Sequence, residues 1–536
     1  MAQTKRLRVI ILKPSKYNAD GFVERFRWGF MPNATIPFIR SMTAQQIGDC
    51  KIETHVIDEY VETDLDYLKL LREPSEPTLL ALVGVQSHQF HRALDLAAYA
   101  RKYGRAHCVM GGPHPMTCDT SMLHDRGVSF ALAEAEIVWS TILSDAIEGD
   151  LRPVYGAEQR WAGRLDPPVL IPPSPRQVKR YILPIVGLYP ARGCPYSCNF
   201  CSVIKIAGHA VRSQPVETTM ASLRAAKSAG MRIAMFTSDN FNKYSDGPEL
   251  LQAMIDEKIE IPFFVQCDTQ IVRQPEFIEL LGRAGCFQMF VGVESFDHET
   301  LRQAKKHHNQ PNHYAEIVEA CRQNGITSHF SCILGFPQDT EESMRHDLET
   351  VSSMRPDVAT FYILTPLPGT EQFEDFLAQG LISEKNLDRT DGKCVTWRHP
   401  HLSAQQLTDA LYRAYRQFNP WSELLAKTIR RWKDQRDFRR YAGFVTTTGY
   451  GAFSRVMAFR HRHPMSGGVG YVSLDRASDY SALRREYYDI DLAPLPSSLQ
   501  LSEGDERLNR MAKLIVPLVR GASASTDGGS PLSAAN

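Results

Sequence analysis

The first third of the chain alternates short apolar runs with longer amphipathic stretches. The apolar runs have the length of β-strands and lie at Leu7–Leu12, Glu53–Asp58, Leu79–Val85, His107–Met110 and Val128–Leu132. The stretches between them are predicted to be helices, and strands that alternate with helices are typical of an open parallel sheet. Residues 1–160 are therefore predicted to form an α/β domain with a Rossmann-like open parallel sheet.

A proline-rich stretch follows at residues 161–184. It contains Pro167, Pro168, Pro172, Pro173, Pro175 and Pro184. Prolines at this density favour a stiff extended connection rather than a helix or a strand. The stretch is predicted to be a linker and to mark a domain boundary.

A second alternating series covers residues 185–380. Its predicted strands are Ile185–Tyr189, Arg232–Phe236, Phe263–Cys267, Gln288–Val293, Thr327–Leu334 and Ala359–Leu364, and each but the last is followed by a predicted helix. Six such units predict a partial (β/α)6 barrel. Ligands of barrels of this kind collect at the carboxyl ends of the strands.

The remaining pattern is mostly helical over residues 381–515, and residues 516–536 are predicted to be disordered because they are rich in Gly, Ser and Ala. Two stretches, Trp421–Arg440 and Phe453–His463, combine basic and aromatic residues. They predict either a solvated helical face, a cover over the substrate, or a peripheral contact with an anionic membrane surface.

Composition narrows the class of protein. The 536 residues are 43% hydrophobic, which is enough for two or three cores, and 61 basic residues balance 61 acidic ones. This balance gives no electrostatic reason to expect a nucleic-acid partner. The first apolar run is broken by Lys13 and Pro14, so we expect neither a signal peptide nor a membrane anchor, and a cytoplasmic location.

Three of the eleven cysteines lie within eight residues of one another. Cys194, Cys198 and Cys201 have the spacing C-x3-C-x2-C directly after a predicted strand. An iron–sulfur cubane usually takes four cysteines, so a loop with three would leave one iron open to another ligand. The alternative is structural zinc with His209 as the fourth ligand. The other cysteines lack ligand spacing and are predicted to be small core residues.

The segment Arg192–Cys201, RGCPYSCNFC, resembles the signature of the radical S-adenosylmethionine (SAM) superfamily. The resemblance covers roughly residues 185–375. It implies a [4Fe–4S] cluster on the three cysteines, whose open iron chelates SAM, and an external electron donor such as flavodoxin or ferredoxin. It further implies reductive cleavage of SAM to methionine and a 5′-deoxyadenosyl radical that abstracts hydrogen from a substrate carbon.

The same resemblance implies roles for residues at the later strand ends. Phe200 matches the aromatic position near the adenine, and Glu294 matches the residue that accepts hydrogen bonds from the ribose. Asp239 or Asn240 would orient the methionine amino group, Gln266 would reach the same ligand, and the backbone around Gly335 would line the adenine.

The N-terminal domain resembles the cobalamin-binding domain fused to one large group of radical SAM enzymes. The resemblance rests on Gly111 and Gly112 directly after a strand, and on Glu134 and Glu136, where the usual Gly-Glu-Gly-Glu is altered to Ala-Glu-Ala-Glu. A Rossmann-like sheet without a ligand is the alternative.

The chain lacks Asp-x-His-x-x-Gly, the motif by which many cobalamin domains donate a histidine to cobalt. The resemblance instead directs attention to the loop after the third strand. There His88 would be a direct ligand, or Gln86 or Ser87 would hold a water below the cobalt. A solvated loop histidine without a metal role is the alternative.

Together these features predict a cobalamin-dependent radical SAM methyltransferase that acts on an unactivated carbon of a small, hydrophobic metabolite, either lipid-like or a tetrapyrrole by family analogy. One alternative is a radical SAM cyclase or oxidoreductase that transfers no methyl group. The other is a non-catalytic carrier of the cluster or of cobalamin.

Overall fold

A computed structural model of the chain describes residues 5–73, 76–384, 386–434, 442–464 and 467–489. The predicted disordered tail at 516–536, and residues 490–515 of the predicted helical region, lie outside these ranges. None of the helices in these ranges is both long enough and apolar enough to cross a bilayer.

The described strands form two main sheets and two small ribbons. In chain order they are β1 (Arg6–Lys13), β2 (Phe26–Gly29), β3 (Gln46–Ile47), β4 (Cys50–Asp58), β5 (Thr78–Leu82), β6 (His107–Gly111), β7 (Ser129–Ala131), β8 (Val154–Tyr155), β9 (Ile185–Leu188), β10 (Ala191–Arg192), β11 (Arg212–Ser213), β12 (Ile233–Phe236), β13 (Phe263–Cys267), β14 (Cys286–Glu294), β15 (Thr327–Leu334), β16 (Val358–Ile363) and β17 (Gly468–Tyr471).

The α-helices connect these strands and cover the sheets. They are α1 (Thr35–Met42), α2 (Tyr67–Leu70), α3 (Phe90–Tyr99), α4 (Pro113–Thr117), α5 (Ala135–Glu148), α6 (Pro175–Val178), α7 (Val203–Ile206), α8 (Val216–Ser228), α9 (Gly247–Asp256), α10 (Pro275–Ala284), α11 (His298–Gln303), α12 (Tyr314–Gln323), α13 (Glu341–Met354), α14 (Glu371–Ala378), α15 (Ala404–Phe418) and α16 (Trp421–Asp434), followed by Tyr450–Phe459 and Ser481–Tyr488.

The N-terminal sheet has seven strands in the order β3-β4-β1-β5-β6-β7-β8, all parallel except for the β3–β4 pair. The five predicted strands are β1, β4, β5, β6 and β7, and the Rossmann-like prediction is confirmed. Both faces are covered: Ile10 and Leu12 enter one apolar core, and Val9 and Ile11 enter the other. Burial on both faces explains why the strands read as continuous apolar runs.

The second sheet has six parallel strands in the order β16-β15-β14-β13-β12-β9, so each strand pairs with the next along the chain. This order confirms the predicted partial barrel. One detail was wrong, because the sixth strand is also followed by a helix, α14. Thr370 caps this helix by accepting a hydrogen bond from the backbone N–H of Phe373.

The proline-rich stretch is not entirely extended. It contains the one-turn helix α6, with Pro175 at its first position and Ser174 as its N-cap, hydrogen-bonded to the N–H of Gln177. Pro is well suited to that first position, because its missing N–H would have no partner in the helix.

The C-terminal region predicted to be mostly helical also contains a strand. β17 pairs antiparallel with β2 near the other end of the chain. A buried charge network reinforces this junction: the Arg92 Nη2 atom lies 2.6 Å from the Glu59 Oε1 atom and 3.2 Å from an Asp475 oxygen, while Arg25 contacts both acids. The C-terminal segment is therefore fixed to the N-terminal domain.

Candidate active site

The three cysteines lie on a loop that begins just after β10. Cys194 donates its N–H to the Gly208 carbonyl at 3.1 Å, and Cys201 donates its N–H to the Cys198 carbonyl at 3.2 Å. Gly193 adopts a φ of +105°, and a Cβ there would lie 2.2 Å from the Ala210 carbonyl oxygen. Only glycine fits this position, so the residue before the first thiol is determined by the path of the loop.

Burial sets the protonation of the free thiols. It raises the pKa of Cys198 to about 11 and that of Cys201 to about 12, while the ammonium group of Lys306 acts in the opposite direction. The charge of neighbouring thiolates of the triad raises both pKa values further. Iron binding would have to release these protons, because a metal takes the thiolate.

A cluster and a single zinc ion place different demands on the three thiolates. In the described ranges, no three His, Cys, Asp or Glu side chains converge closely enough to hold one metal ion. Zinc would draw its thiolates together at bonds of about 2.3 Å, whereas a cubane binds each thiolate at a separate iron.

The two residues predicted to orient methionine, Asp239 and Asn240, both contact the cysteine loop. Asp239 accepts a hydrogen bond from the Gly193 N–H at 2.8 Å. Asn240 donates to Asp268 at 2.6 Å, and its Nδ2 atom lies 4.0 Å from the Cys194 Sγ atom. Sequence reasoning missed Asp268, although it directly follows the predicted strand Phe263–Cys267.

Glu294, the predicted ribose ligand, ends β14 in a left-handed conformation with φ +64°. Its Oε1 atom lies 3.1 Å from the Lys306 Nζ atom, and its Oε2 atom accepts a hydrogen bond from Ser331 at 3.3 Å. Backbone strain of this kind in a residue other than glycine is common at functional sites. Lys306 is a second missed residue, because a Lys-Lys pair after a helix suggests only solvated charge.

Phe200, which the resemblance places near the adenine, packs beside the turn that follows β15. Its ring contacts Phe336 edge-on at 6.2 Å, and the Lys306 Nζ atom lies 5.8 Å from its centre. The N–H groups of Gly335 and Phe336 both donate to Asp339, at 2.8 and 2.9 Å, which fixes the turn after β15. Burial raises the pKa of Asp339 to about 7. Phe200 and the Gly335 turn thus lie together.

Gln266 lies one residue before the end of β13 and is half-buried beside Phe290 of β14. Its side chain forms no hydrogen bond with the part of the chain that the structure describes. The amide therefore has its full hydrogen-bonding capacity available to a ligand.

A cavity of about 870 Å³ lies between the N-terminal sheet and the barrel. This volume is near the upper end for small-molecule and cofactor sites. Its deep wall is apolar and is lined by Ala81, Val83, Val109, Ala133, Trp139 and Ile142. Arg192 and Asp239 line it from the barrel side, so the cavity reaches the loop that carries the cysteines.

The two predicted glycines of the N-terminal domain both line this cavity, but for different reasons. A Cβ on Gly111 would meet only the Ala131 Cβ, at 3.4 Å, so this glycine leaves room for a ligand. Gly112 has a φ of +132°, and a Cβ there would lie 2.2 Å from the Val85 nitrogen. Gly112 is therefore required by chain packing rather than by close approach of a ligand.

The three residues of the predicted cobalt-facing loop do not all face the cavity. Gln86 and His88 line the cavity, whereas Ser87 contacts the His114 Nδ1 atom at 3.0 Å. Burial and the nearby Lys16 lower the pKa of His88 to about 3. Its imidazole is thus neutral at physiological pH and retains the lone pair that a metal would need.

Glu134 lines the cavity, but its carboxylate is bound by two arginines. Arg212 contacts its two oxygens at 2.6 and 2.9 Å, and Arg192 lies 3.5 Å away. Glu136 pairs with Arg192 at 2.9 Å. These four residues form an acidic–basic clasp between the N-terminal domain and the cysteine loop, and all four are largely buried.

The sequence profile of the radical SAM superfamily matches residues 188–351, which include the triad and Glu294. The chain thus contains a region that matches the radical SAM superfamily, and this region carries the three cysteines.

Individual relatives extend the comparison beyond this domain. The chain is 29% identical over 284 residues to a bacteriochlorophyllide d C-12(1)-methyltransferase of Chlorobaculum tepidum, a match that spans 50% of this chain and 59% of the relative. Its fold is similar to that of TsrM, a radical SAM methyltransferase of Kitasatospora setae solved with cobalamin and a [4Fe–4S] cluster (TM-score 0.56, 17% identity, 70% of this chain and 78% of that one). It is also similar to that of OxsB, a cobalamin-dependent SAM radical enzyme (TM-score 0.58, 11% identity, 99% and 82%).

Proposed function

We propose that the chain is a cobalamin-dependent radical SAM methyltransferase acting on an unactivated carbon of a small, hydrophobic metabolite. The observation that carries the proposal is Arg192. This residue lies two positions before Cys194 and lines the same cavity as Gly111 and His88. The cavity suited to cobalamin and the loop suited to the cluster therefore share a wall.

The residues fit the three groups. Cys194, Cys198 and Cys201 would hold the cluster, Glu294, Phe200 and Gln266 would hold SAM, and the cavity between Gly111 and the apolar wall would hold cobalamin. When bound, these groups supply the radical and methyl-transfer chemistry. The chain's part is to orient them: Lys306 holds Glu294 in place through a contact of 3.1 Å, and the neutral His88 faces the cavity.

The substrate class rests on similarity, because one relative is named for a bacteriochlorophyllide. We favour a tetrapyrrole or lipid-like substrate over a charged one, and no nucleic acid. An external donor such as flavodoxin or ferredoxin would reduce the cluster, and a cytoplasmic setting would keep the thiols reduced.

The test is an anaerobic assay of the reconstituted protein with hydroxocobalamin, SAM and a reductant. A methyltransferase should retain cobalamin through gel filtration and should form both 5′-deoxyadenosine and S-adenosylhomocysteine. Cell extract supplied as a substrate source should yield a product heavier by one CH2. The Cys198→Ala variant, treated identically, is the control for cleavage that does not depend on the cluster.

A radical cyclase or oxidoreductase is the second candidate, because OxsB, whose fold matches 99% of this chain, is a cobalamin-dependent SAM radical enzyme. It would form 5′-deoxyadenosine without S-adenosylhomocysteine. Retention of cobalamin without either product would instead identify a carrier.

A further inference from the structure

An exposed apolar patch lies on the C-terminal helices. Trp421, Leu425 and Ile429 of α16 are 58%, 62% and 51% exposed, and Phe459 at the end of the helix Tyr450–Phe459 is 61% exposed. A spacing of four residues places the first three on one helix face. Helices of soluble proteins normally turn such a stripe toward the core, so an exposed stripe indicates an interaction surface.

The four side chains belong to one surface because arginines join them. The Arg455 guanidinium lies 5.9 Å from the Trp421 ring centre and 5.3 Å from that of Phe459, and Arg416 lies 5.5 Å from the Phe459 ring. The patch therefore continues from α16 to the end of the following helix.

The charge around the patch is positive. Arg416 and Arg455 donate hydrogen bonds to the carbonyls of Ala458 and Asn419, which leave their charges in place. Arg460 and Arg462 are exposed directly after Phe459.

We propose that this patch docks on an anionic lipid bilayer, with the apolar side chains at the headgroup boundary and the arginines on lipid phosphates. Trp and Arg beside exposed Leu, Ile and Phe are the composition of an interfacial helix. Basic residues near an anionic leaflet add attraction. A second copy of this chain fits less well, because a symmetric contact would place the same arginines against each other.

The position of the patch suits the apolar substrate proposed above, although the inference does not rest on that function. Phe453, on the same helix as Phe459, packs edge-on against Phe30 at 5.5 Å, and Phe30 lines the cavity. The helix Tyr450–Phe459, which carries part of the patch, thus also supports a wall of the candidate active site.

The test is flotation of the full-length protein with vesicles of phosphatidylcholine alone or mixed with phosphatidylglycerol. The protein should float with the anionic vesicles only, and less so as salt rises. Leu425→Gln and Phe459→Gln should each lower the partition coefficient about tenfold, and Arg455→Gln about fivefold. Met122→Gln, at an N-terminal position that is 50% exposed, should leave binding unchanged.

Three results would overturn the proposal. The first is that the full-length chain does not float with anionic vesicles, and the second is that it floats equally well with neutral ones. The third is that the partition coefficient falls equally in Met122→Gln and in Leu425→Gln. A dimer that Leu425→Gln dissociates, without vesicle binding, would assign the patch to a second copy. Flotation only after deletion of residues 490–536 would assign it to that segment. Because the four substituted side chains are exposed or half-buried, each variant should keep the wild-type unfolding midpoint.

Discussion

Arg212 donates two hydrogen bonds to Glu134, from Nη1 to Oε2 at 2.6 Å and from Nη2 to Oε1 at 2.9 Å. Both side chains are less than a tenth exposed. Glu134→Ala would leave two buried arginines without their shared carboxylate, and breaking such a pair costs about 3–5 kcal/mol. We expect a clear fall in the midpoint of urea unfolding.

The exposed pair Glu319–Arg322, at 2.7 Å, is the matched control. Glu319→Ala should change stability by no more than about 0.5 kcal/mol, because surface ion pairs contribute little. The double variant Glu134→Gln/Arg212→Met should be more stable than the sum of its single variants predicts. Equal losses at the exposed and buried pairs would show that the clasp does not stabilise the junction.

The cysteine triad makes a separate prediction. Cys198→Ala should lose most of the bound iron and sulfide and should form 5′-deoxyadenosine only at background level, because two thiolates cannot retain the cluster. Cys321→Ala removes a thiol that is buried in the barrel core, so this variant should keep its iron and sulfide and should form 5′-deoxyadenosine as the wild type does. Iron analysis and product quantification check the pair, and a full iron content in Cys198→Ala would contradict the assignment of the ligands.

Lys306 should tune the cluster electrostatically. Its ammonium lies 3.1 Å from Glu294 and acts on the thiols of Cys198 and Cys201. Removing this positive charge disfavours the reduced, more negative cluster, so Lys306→Met should lower the reduction potential by an amount on the order of tens of millivolts. Lys306→Arg keeps the positive charge and should therefore have a reduction potential close to that of the wild type.

The neighbouring lysine is the control for this measurement. Lys305 is half-exposed and pairs with Glu371 on the surface. Lys305→Met should leave the potential unchanged in a redox titration followed by electron paramagnetic resonance. Identical potentials in Lys306→Met and the wild type would remove Lys306 from the electrostatics of the site.

The main strands were predictable because buried parallel strands leave a simple apolar signature. Thr327–Leu334 was predicted to the residue. The pairing of β2 with β17 was not predictable, because Phe26–Gly29 is short and its two middle residues are exposed. Nothing in a local pattern links it to a strand near residue 470.

The candidate site likewise has features that the sequence predicted and features that it did not. The sequence identified Glu134 as important through its motif, but its partner Arg212 lies 78 positions away and only the fold brings them together. Asp239 was likewise found as a strand-end residue, and its contact with Gly193 depends on the path of the loop. The family motifs therefore indicated candidate residues, whereas their partners required three-dimensional packing.

A final prediction concerns pH. Lys13 is buried and donates to Gln89 at 2.6 Å, and burial lowers its pKa to about 7 although Asp58 opposes the shift. The unfolded chain keeps a lysine pKa of about 10.4, so between these values the unfolded state binds more protons. Stability due to this group should therefore rise with pH from about 7 to about 10, while the full penalty of a buried charge is present below pH 7.

Lys13→Met removes the titrating group with little change in length. The urea midpoint of the wild type minus that of Lys13→Met should increase as pH rises across this window, since the subtraction cancels groups that the two proteins share. Lys51→Met, at an exposed position on the neighbouring strand β4, should show a difference that does not vary with pH. A difference for Lys13→Met that stays constant from pH 6.5 to pH 10 would mean that Lys13 remains charged in the folded protein, and that a counter-charge from Asp58 outweighs burial.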